Sequence, residues 1–121
     1  MAVFSQWDIV KVPFPYTDRP VRQRRPAVVV AAGEIENVHG LLWLLMITSA
    51  ENRGWDGDVP VSDLSAAGLP APSIVRPAKI ATVEAYDAVP LGALTAPDRA
   101  AVAAYLRRIL GAVCDQNSFP H

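Results

Sequence analysis

The seven-residue run LLWLLMI at positions 41–47 constrains the fold more than any other segment of the chain. A membrane span would need about 20 apolar residues, so this run is too short to cross a bilayer and is read as a strand. One face of an antiparallel sheet normally meets water, and a strand that is apolar on both faces needs a second cover. The run therefore predicts a sheet covered by a helix or by a partner subunit, with Trp43 in the core or at the subunit interface.

Other short runs with turn residues between them are also typical of strands. AVVVAA is β-branched and is expected to be central, whereas Pro77 should separate the last two runs, because proline cannot donate to a ladder. These runs are IVKVPF at 9–14, AVVVAA at 27–32, VPV at 59–61, SIVR at 73–76 and KIATV at 79–83. With LLWLLMI they give about six strands.

One amphipathic helix is predicted over residues 96–110. Thr95 and Asp98 resemble a capping box, Pro97 suits the first turn, and Gly111 supplies the stop. The apolar positions recur at three- and four-residue spacing: Val102, Tyr105, Leu106, Ile109 and Leu110.

A short helical turn is possible at residues 62–67, closed by Gly68. Short strands followed by one helix predict a mainly β (α+β) fold, a small curled antiparallel sheet or open barrel with a C-terminal helix packed on it.

Length and composition favour a single domain, 1–121, that associates with itself. A chain of 121 residues can bury a core without disulfides, and 51 % hydrophobic against 19 % charged residues leaves little polar surface. The single cysteine, Cys114, excludes an internal disulfide and is interpreted as a small structural hydrophobe. With no basic, apolar leader visible, we expect a cytoplasmic protein.

Charge is concentrated in the first quarter of the chain. Residues 1–30 carry net +3 and the rest −4, although the whole chain is at −1. Four arginines fall within seven positions, and their planar donors suit phosphate. The last of them, Arg25, precedes Pro26 and a strand, which would aim its side chain. A polyanion bound at one basic site is therefore favoured over a merely solvated turn.

No metal or cofactor site is indicated by the remaining reactive residues. His39 beside Gly40 and His121 have no partner at ligand spacing. The carboxylates flanking probable turns are interpreted as solvated loop charges: Glu34, Glu36, Asp56 and Asp58. Trp7 and Trp55 suit either base stacking or a partly buried rim. We expect neither metal nor cofactor.

In order and spacing, the segments DIVKVPFP, RRPAVVV, MITSA, GDVPV, SIVRPAKI and TAPDRAAVAAYLRRILG resemble the MazF/PemK family of toxin–antitoxin endoribonucleases, from about residue 8 to residue 111. The arginine-proline pair and the isoleucine-threonine-serine triplet carry the most specific part of the likeness. The resemblance implies an SH3-like barrel, a homodimer, metal-independent cleavage of single-stranded RNA at short sequences, and an antitoxin protein that neutralises the toxin.

Residue roles follow from the resemblance only where the motif residue is present. Arg25 and Thr48 fall on the family's catalytic pair, which would stabilise the phosphorane while the RNA 2′-hydroxyl acts as nucleophile. Arg76 falls on a second family arginine and is a candidate for RNA binding. The remaining candidates for RNA binding are Tyr16, Thr17, Arg19, Arg22, Arg24, Ser49 and Lys79.

Three departures from the family pattern keep a second hypothesis open. Trp7 replaces the usual glycine before the first strand, TDRPVRQ replaces a glycine-rich loop, and Ala78 stands where the family often has an acidic residue. Missing that carboxylate, the chain could be a non-catalytic toxin of the same fold, such as a gyrase-poisoning type, or a nucleic-acid-binding module. The general base is not identifiable from the sequence.

Overall fold

A computed structural model describes residues 3–14, 23–52 and 54–115. Within these residues one antiparallel sheet has the strand order β4–β5–β3–β2–β1–β6. The strands are β1 (Asp8–Phe14), β2 (Gln23–Ala31), β3 (Leu41–Ser49), β4 (Val59–Pro60), β5 (Ser73–Glu84) and β6 (Val89–Ala93). The helices are α1 (Glu34–His39), α2 (Leu64–Ala67) and α3 (Ala96–Asp115), and short 3₁₀ turns cover Ala50–Asn52 and Ala85–Asp87. The predicted fold class, a curled antiparallel sheet with a C-terminal helix, is confirmed.

Both faces of the central strand β3 are buried within one chain. Leu45 and Ile47 pack on the face covered by α2 and α3, where Val102 of α3 joins them. Leu42 and Leu44 pack on the other face, which Phe4 of the N-terminal segment helps to cover. Burying a side chain of this size stabilises a fold by about 1.5–3 kcal/mol. The doubly apolar run thus obtains its second cover from the chain itself.

Trp43 was predicted in the core or at a subunit interface, and the first of these is wrong. Its side chain is 42 % exposed and lies beside the irregular pairing of β3 with β2. Ile80 of β5, which is 50 % exposed, lines the same shallow apolar groove.

Pro77 does not divide two strands as predicted, because β5 is continuous through it. The β3–β5 register shifts between Leu45, paired with Ile80, and Met46, paired with Arg76. Residues 77–79 bulge out between these pairs, where the missing proline N–H is not needed. The bulge also carries Ala78 and Lys79 at the sheet surface, where both are exposed.

Strand β6 and helix α1 were missed by the sequence prediction. Pro90 and Gly92 hide β6, and both are tolerated because β6 is an edge strand. Helix α1 has only six residues and ends at Gly40 in the left-handed conformation. Glu36, interpreted as a solvated loop charge, is buried and accepts hydrogen bonds from the backbone N–H groups of Val3 and Phe4.

Helix α3 extends beyond its predicted end at Gly111 and continues to Asp115. A glycine ends a helix when it takes the left-handed conformation, and Gly111 has no positive φ. Cys114 therefore lies in the last turn of α3 and is exposed, so its interpretation as a small structural hydrophobe was wrong.

Trp7 stands in the left-handed region with φ 79°. Its N–H donates to the Val29 carbonyl at 2.7 Å and its own carbonyl accepts from the Leu94 N–H at 2.9 Å. A non-glycine residue in this conformation costs about 1–2 kcal/mol. The indole packs against the core under α3 and offsets part of that cost.

The short helix α2 brings the two edges of the sheet together. Asp63 caps it by accepting from the Ala66 N–H at 3.0 Å, and Gly68 ends it with φ 73°. A Cβ at Gly68 would collide with the Leu91 carbonyl of β6, so glycine is required by space as well as by conformation. The helical turn predicted at residues 62–67 is confirmed, and it holds the segment after it beside β6.

Candidate functional site

Arg25 and Thr48 face each other across two neighbouring strands. Ala27 of β2 pairs with Met46 of β3, and continuing that register by two residues would bring Arg25 opposite Thr48. Both side chains line the same cavity. Side chains alternate along a strand, which places both on the face that Ala27 and Met46 occupy. Arg76 of β5 pairs with Met46 from the other side and belongs to the same face. The sheet thus brings together three predicted site residues that are far apart in sequence.

Arg25 is half-buried and largely uncommitted. Its Nη2 donates to Gln23 Oε1 at 3.0 Å, and its Nε is buried with no hydrogen-bond partner among the described residues. A buried donor without an acceptor costs about 1–3 kcal/mol. Among those residues no carboxylate pairs with this guanidinium. Its charge is therefore available to an anion.

Thr48 lies near the end of β3, just before the 3₁₀ turn. Its Oγ1 accepts a hydrogen bond from Asn52 Nδ2 at 3.0 Å. A hydroxyl that accepts one bond still has its own proton to donate. The side chain is half-buried, so it is held in place and still reachable.

Arg76 has a different environment although it shares the face. It is 7 % exposed, and its Nε and Nη2 donate to the two carboxylate oxygens of Asp58 at 3.1 and 2.9 Å. The Asn52 carbonyl also accepts from Nη2, and the Trp55 ring lies 4.3 Å from the guanidinium carbon. Arg76 thereby fixes the segment between β3 and β4.

Asp58 was interpreted as a solvated loop charge, and the structure shows that this was wrong. Its side chain is 5 % exposed and paired with Arg76. Burial acts to raise the pKa of this carboxyl, but the hydrogen bonds from Arg76 and from the backbone N–H groups of Trp55 and Gly54 outweigh it, so the pKa lies below its ordinary value. The same hydrogen bond raises the pKa of Arg76.

Two cavities meet at Arg25, Ile47 and Thr48. The smaller, of about 200 Å³, is completed by Met46, Asn52, Arg76 and Lys79. The larger, of about 310 Å³, extends to Lys11 and Arg24 on one side and to residues 68–73 and Leu91 on the other. None of the described residues that line either cavity is acidic. The site can therefore attract a phosphate-bearing ligand and place its neighbouring groups against apolar walls.

The other predicted RNA-binding residues lie at different distances from this centre. Arg24 is exposed and bonds the Asp87 carbonyl at 3.1 Å, toward the β1–β6 edge, while Ser49 Oγ accepts from the Glu51 N–H at 3.3 Å. Lys79 lines the smaller cavity from the β5 bulge. Four candidates lie outside the described residues: Tyr16, Thr17, Arg19 and Arg22.

Sequence reasoning missed Lys11, Asn52 and Asp58 as parts of the site. Lys11 alternates with buried valines in β1, and that pattern marks an outward position without naming a site. Asn52 and Asp58 acquire their roles through contacts with β3 and β5, for which the sequence carries no local signal.

Trp55 and Trp7 had two interpretations each. The Trp55 ring stacks on the Arg76 guanidinium and is 48 % exposed, while Trp7 is half-buried under α3.

Over residues 3–14, 23–52 and 54–115, no three His, Cys, Asp or Glu side chains are placed to hold a metal ion. No helix in this part of the chain is long and apolar enough to span a membrane.

The fold is thus a curled antiparallel sheet with a C-terminal helix, and a cavity lined by cationic side chains lies on one face of the sheet. A family model described as PemK-like, MazF-like toxin of type II toxin-antitoxin system matches residues 5–110. The chain belongs to this family of toxins.

Solved structures share the fold. MazE–MazF from Deinococcus radiodurans matches with a TM-score of 0.72 and 22 % identity over 90 % of this chain and 96 % of that one. The Mycobacterium tuberculosis toxin MazF-mt6 gives 0.67 and 21 % over 86 % and 96 %. An endoribonuclease in complex with its cognate antitoxin, from a mycobacterial species, gives 0.68 and 15 % over 88 % and 93 %. A search of curated proteins returns no significant match.

Proposed function

We propose that this toxin is an endoribonuclease that cleaves single-stranded RNA at short sequences, with the RNA's own 2′-hydroxyl as the nucleophile and without a metal ion. The observation that carries the proposal is the Arg25 guanidinium, free of any described carboxylate, opposite Thr48 in a cationic cavity. Membership of the toxin family supports it, as does a relative described as an endoribonuclease.

For this reaction the protein has to position the RNA and stabilise the negative charge of the transition state. The 2′-hydroxyl gives up its proton to solvent as its oxygen attacks phosphorus, the bond to the 5′-oxygen breaks, and that oxygen takes a proton from water. A 2′,3′-cyclic phosphate and a 5′-hydroxyl result. Negative charge grows on the non-bridging oxygens of the phosphorane, where a guanidinium and a hydroxyl donor stabilise it. Arg25 supplies the first and Thr48 the second. Because an arginine stays protonated in proteins, electrostatic stabilisation is the role assigned to Arg25.

The experiment is incubation of purified protein with a long single-stranded RNA in EDTA, with the cuts mapped at nucleotide resolution. We expect cuts at one short sequence, leaving cyclic phosphate and 5′-hydroxyl ends. An RNA with a 2′-O-methyl group at the mapped site is the matched control and should stay intact. Cleavage of the methylated RNA, or loss of cleavage in EDTA, would contradict the proposal.

A second candidate is a non-catalytic toxin of the same fold that binds nucleic acid or poisons a protein target such as gyrase. It is favoured by one observation, the absence of any carboxylate among the described residues that line the cavities. Ala78 stands in the exposed β5 bulge and supplies none. Tight RNA binding or growth arrest without cut RNA would select this candidate.

We further propose a cognate antitoxin as partner, a homodimeric state and a cytoplasmic location. The solved structures similar to this chain include a MazE–MazF complex, and an acidic antitoxin segment would neutralise the cationic cavities. The dimer rests on exposed apolar side chains: Trp43, Ile80, Ile109, Leu110 and Val113. Sedimentation at tens of micromolar should give a dimer, and a monomer would refute this part.

A further inference from the structure

The turn that follows β3 returns to the end of that strand through a single side-chain contact. Asn52 Nδ2 donates to Thr48 Oγ1 at 3.0 Å, four residues back along the chain. An amide N–H is a donor and has no lone pair to offer, so the hydroxyl must be the acceptor in this bond. The contact therefore holds the Thr48 oxygen in place and uses the hydroxyl as an acceptor.

The hydroxyl proton of Thr48 is not used in this hydrogen bond. Among the described residues no acceptor takes it, because the bond from Asn52 is the single hydrogen bond of this side chain. The Asn52 amide occupies one side of the oxygen, and both Thr48 and Asn52 line the smaller cavity with Arg25. The proton cannot be donated to the Asn52 amide N–H, so it is available to a phosphate oxygen drawn into this cavity by the Arg25 charge.

The backbone of Asn52 is itself held by Arg76. Its carbonyl accepts from Arg76 Nη2, and Arg76 is anchored by both carboxylate oxygens of the buried Asp58. The backbone of the turn is therefore fixed by a charge-assisted bond, while the Asn52 side chain remains at the surface of the cavity. A donor mounted on a fixed backbone can orient its acceptor with little loss of entropy on substrate binding.

We propose that Asn52 is a positioning residue, which orients the Thr48 hydroxyl as a donor to the scissile phosphate and is itself held by Arg76 and Asp58. This inference rests on the proposed RNA cleavage. It assigns to Asn52 no contact with the RNA, and its effect passes through Thr48.

The test compares two substitutions that differ in hydrogen-bonding sense. Asn52→Ala removes the donor, and kcat should fall by about threefold to tenfold with KM unchanged. Asn52→Asp keeps the shape but replaces the donor by an acceptor, which would capture the Thr48 proton. Its kcat should fall at least as far as in Thr48→Val. Asn37→Ala and Asn37→Asp, the same changes at an exposed position of α1, are matched controls and should leave kcat unaltered.

A double-mutant cycle asks whether Asn52 acts through Thr48. In the Thr48→Val background Asn52→Ala should cost nothing further, since the hydroxyl it orients is gone. Additive losses would overturn the inference, as would a kcat of Asn52→Asp equal to that of the wild type. The inference would also be overturned if the melting temperature fell so far that unfolding at the assay temperature accounted for the whole loss of kcat. Asn52 would then have a purely structural role.

A readout without RNA separates this inference from the proposed function. The side-chain amide resonances of Asn52 in a 15N-labelled sample should shift when Thr48 is replaced by Val, because the bond partner is lost. The Asn37 amide should not shift. Unchanged Asn52 resonances would refute the bond itself, whether or not the wild type cleaves RNA. Shifted resonances in a protein that leaves RNA intact would refute the proposed function and retain the geometry.

Discussion

Arg25 and Arg76 lie on the same face of the sheet, on either side of β3, and their environments are opposite. Arg76 is 7 % exposed and gives its donors to Asp58 and to the Asn52 carbonyl. Arg25 bonds one neutral side chain and keeps a buried Nε without a partner among the described residues. A guanidinium neutralised inside the protein holds structure together, whereas one left without a counter-charge is available for chemistry.

The largest expected effect is on stability, from Arg76→Ala. Removing the guanidinium leaves Asp58 buried without its partner, and breaking such a pair costs about 3–5 kcal/mol. Urea denaturation should show this loss. The matched control is Arg108→Ala, which breaks the exposed pair of Arg108 with Asp56 at 3.5 Å and should cost less than about 1 kcal/mol. Similar losses in both variants would erase the distinction drawn for Arg76.

Arg25→Ala should do the reverse, with an intact fold and a large loss of activity. Loss of one preorganised charge stabiliser lowers kcat by about 10²–10³-fold. Single-turnover cleavage assays and thermal denaturation measure the two quantities. Arg24→Ala, at the next residue of β2, should raise KM with little change in kcat, because Arg24 lies toward the β1–β6 edge. If both variants lose kcat equally, then the assignment of charge stabilisation to Arg25 and of RNA binding to Arg24 is wrong.

Thr48→Val keeps the β-branched shape and removes the hydroxyl. We expect kcat to fall by about tenfold or more while the melting temperature barely changes. The same substitution at Thr82, exposed on β5 opposite Trp43, is the control and should not alter cleavage. Unchanged cleavage with a lowered melting temperature in Thr48→Val would mean that this hydroxyl serves only its own strand end.

The smallest effect concerns acid, since it depends on one carboxyl. The pKa of Asp58 lies below its ordinary 3.8 in the folded state, so its stabilising contribution is complete above that value and is lost as pH falls through the folded pKa. The stability gap between wild type and Asp58→Asn should therefore be constant near neutrality and shrink at acid pH. Urea midpoints from about pH 6 to about pH 2.5 measure it. A gap that widens in acid would refute the assigned sign.

Much of the fold was predictable because it is written in local pattern. The runs that became β1, β2 and β3 are apolar or β-branched. Strands β1 and β3 begin within two residues of their predicted starts, whereas β2 begins earlier than predicted, at Gln23. The errors fall where a local rule met a tertiary exception. Pro77 is accommodated by a bulge, β6 contains Pro90 and Gly92 because it is an edge, and Gly111 does not take the conformation that would end α3.

The site was predictable in part, through motif residues and not through contacts. Arg25 and Thr48 were identified in the sequence and line the same cavity. Their chemical roles remain predictions. Arg76 was identified as well, but its assignment to RNA binding did not anticipate its burial against Asp58. Burial of a charge depends on which partner the fold brings to it, and composition does not contain that information.

The sequence by itself determined the family, the mainly β architecture and the arginine-rich first quarter, since periodicity, turn residues and motif order are properties of neighbouring positions. Tertiary structure alone decided that Arg76 pairs with Asp58, whereas Arg25 has no carboxylate partner among residues 3–14, 23–52 and 54–115. It also decided that Asn52 meets Thr48, and that both faces of β3 are covered by the same chain. Each of these depends on register between strands, where a shift of one residue would exchange the faces and separate Arg25 from Thr48.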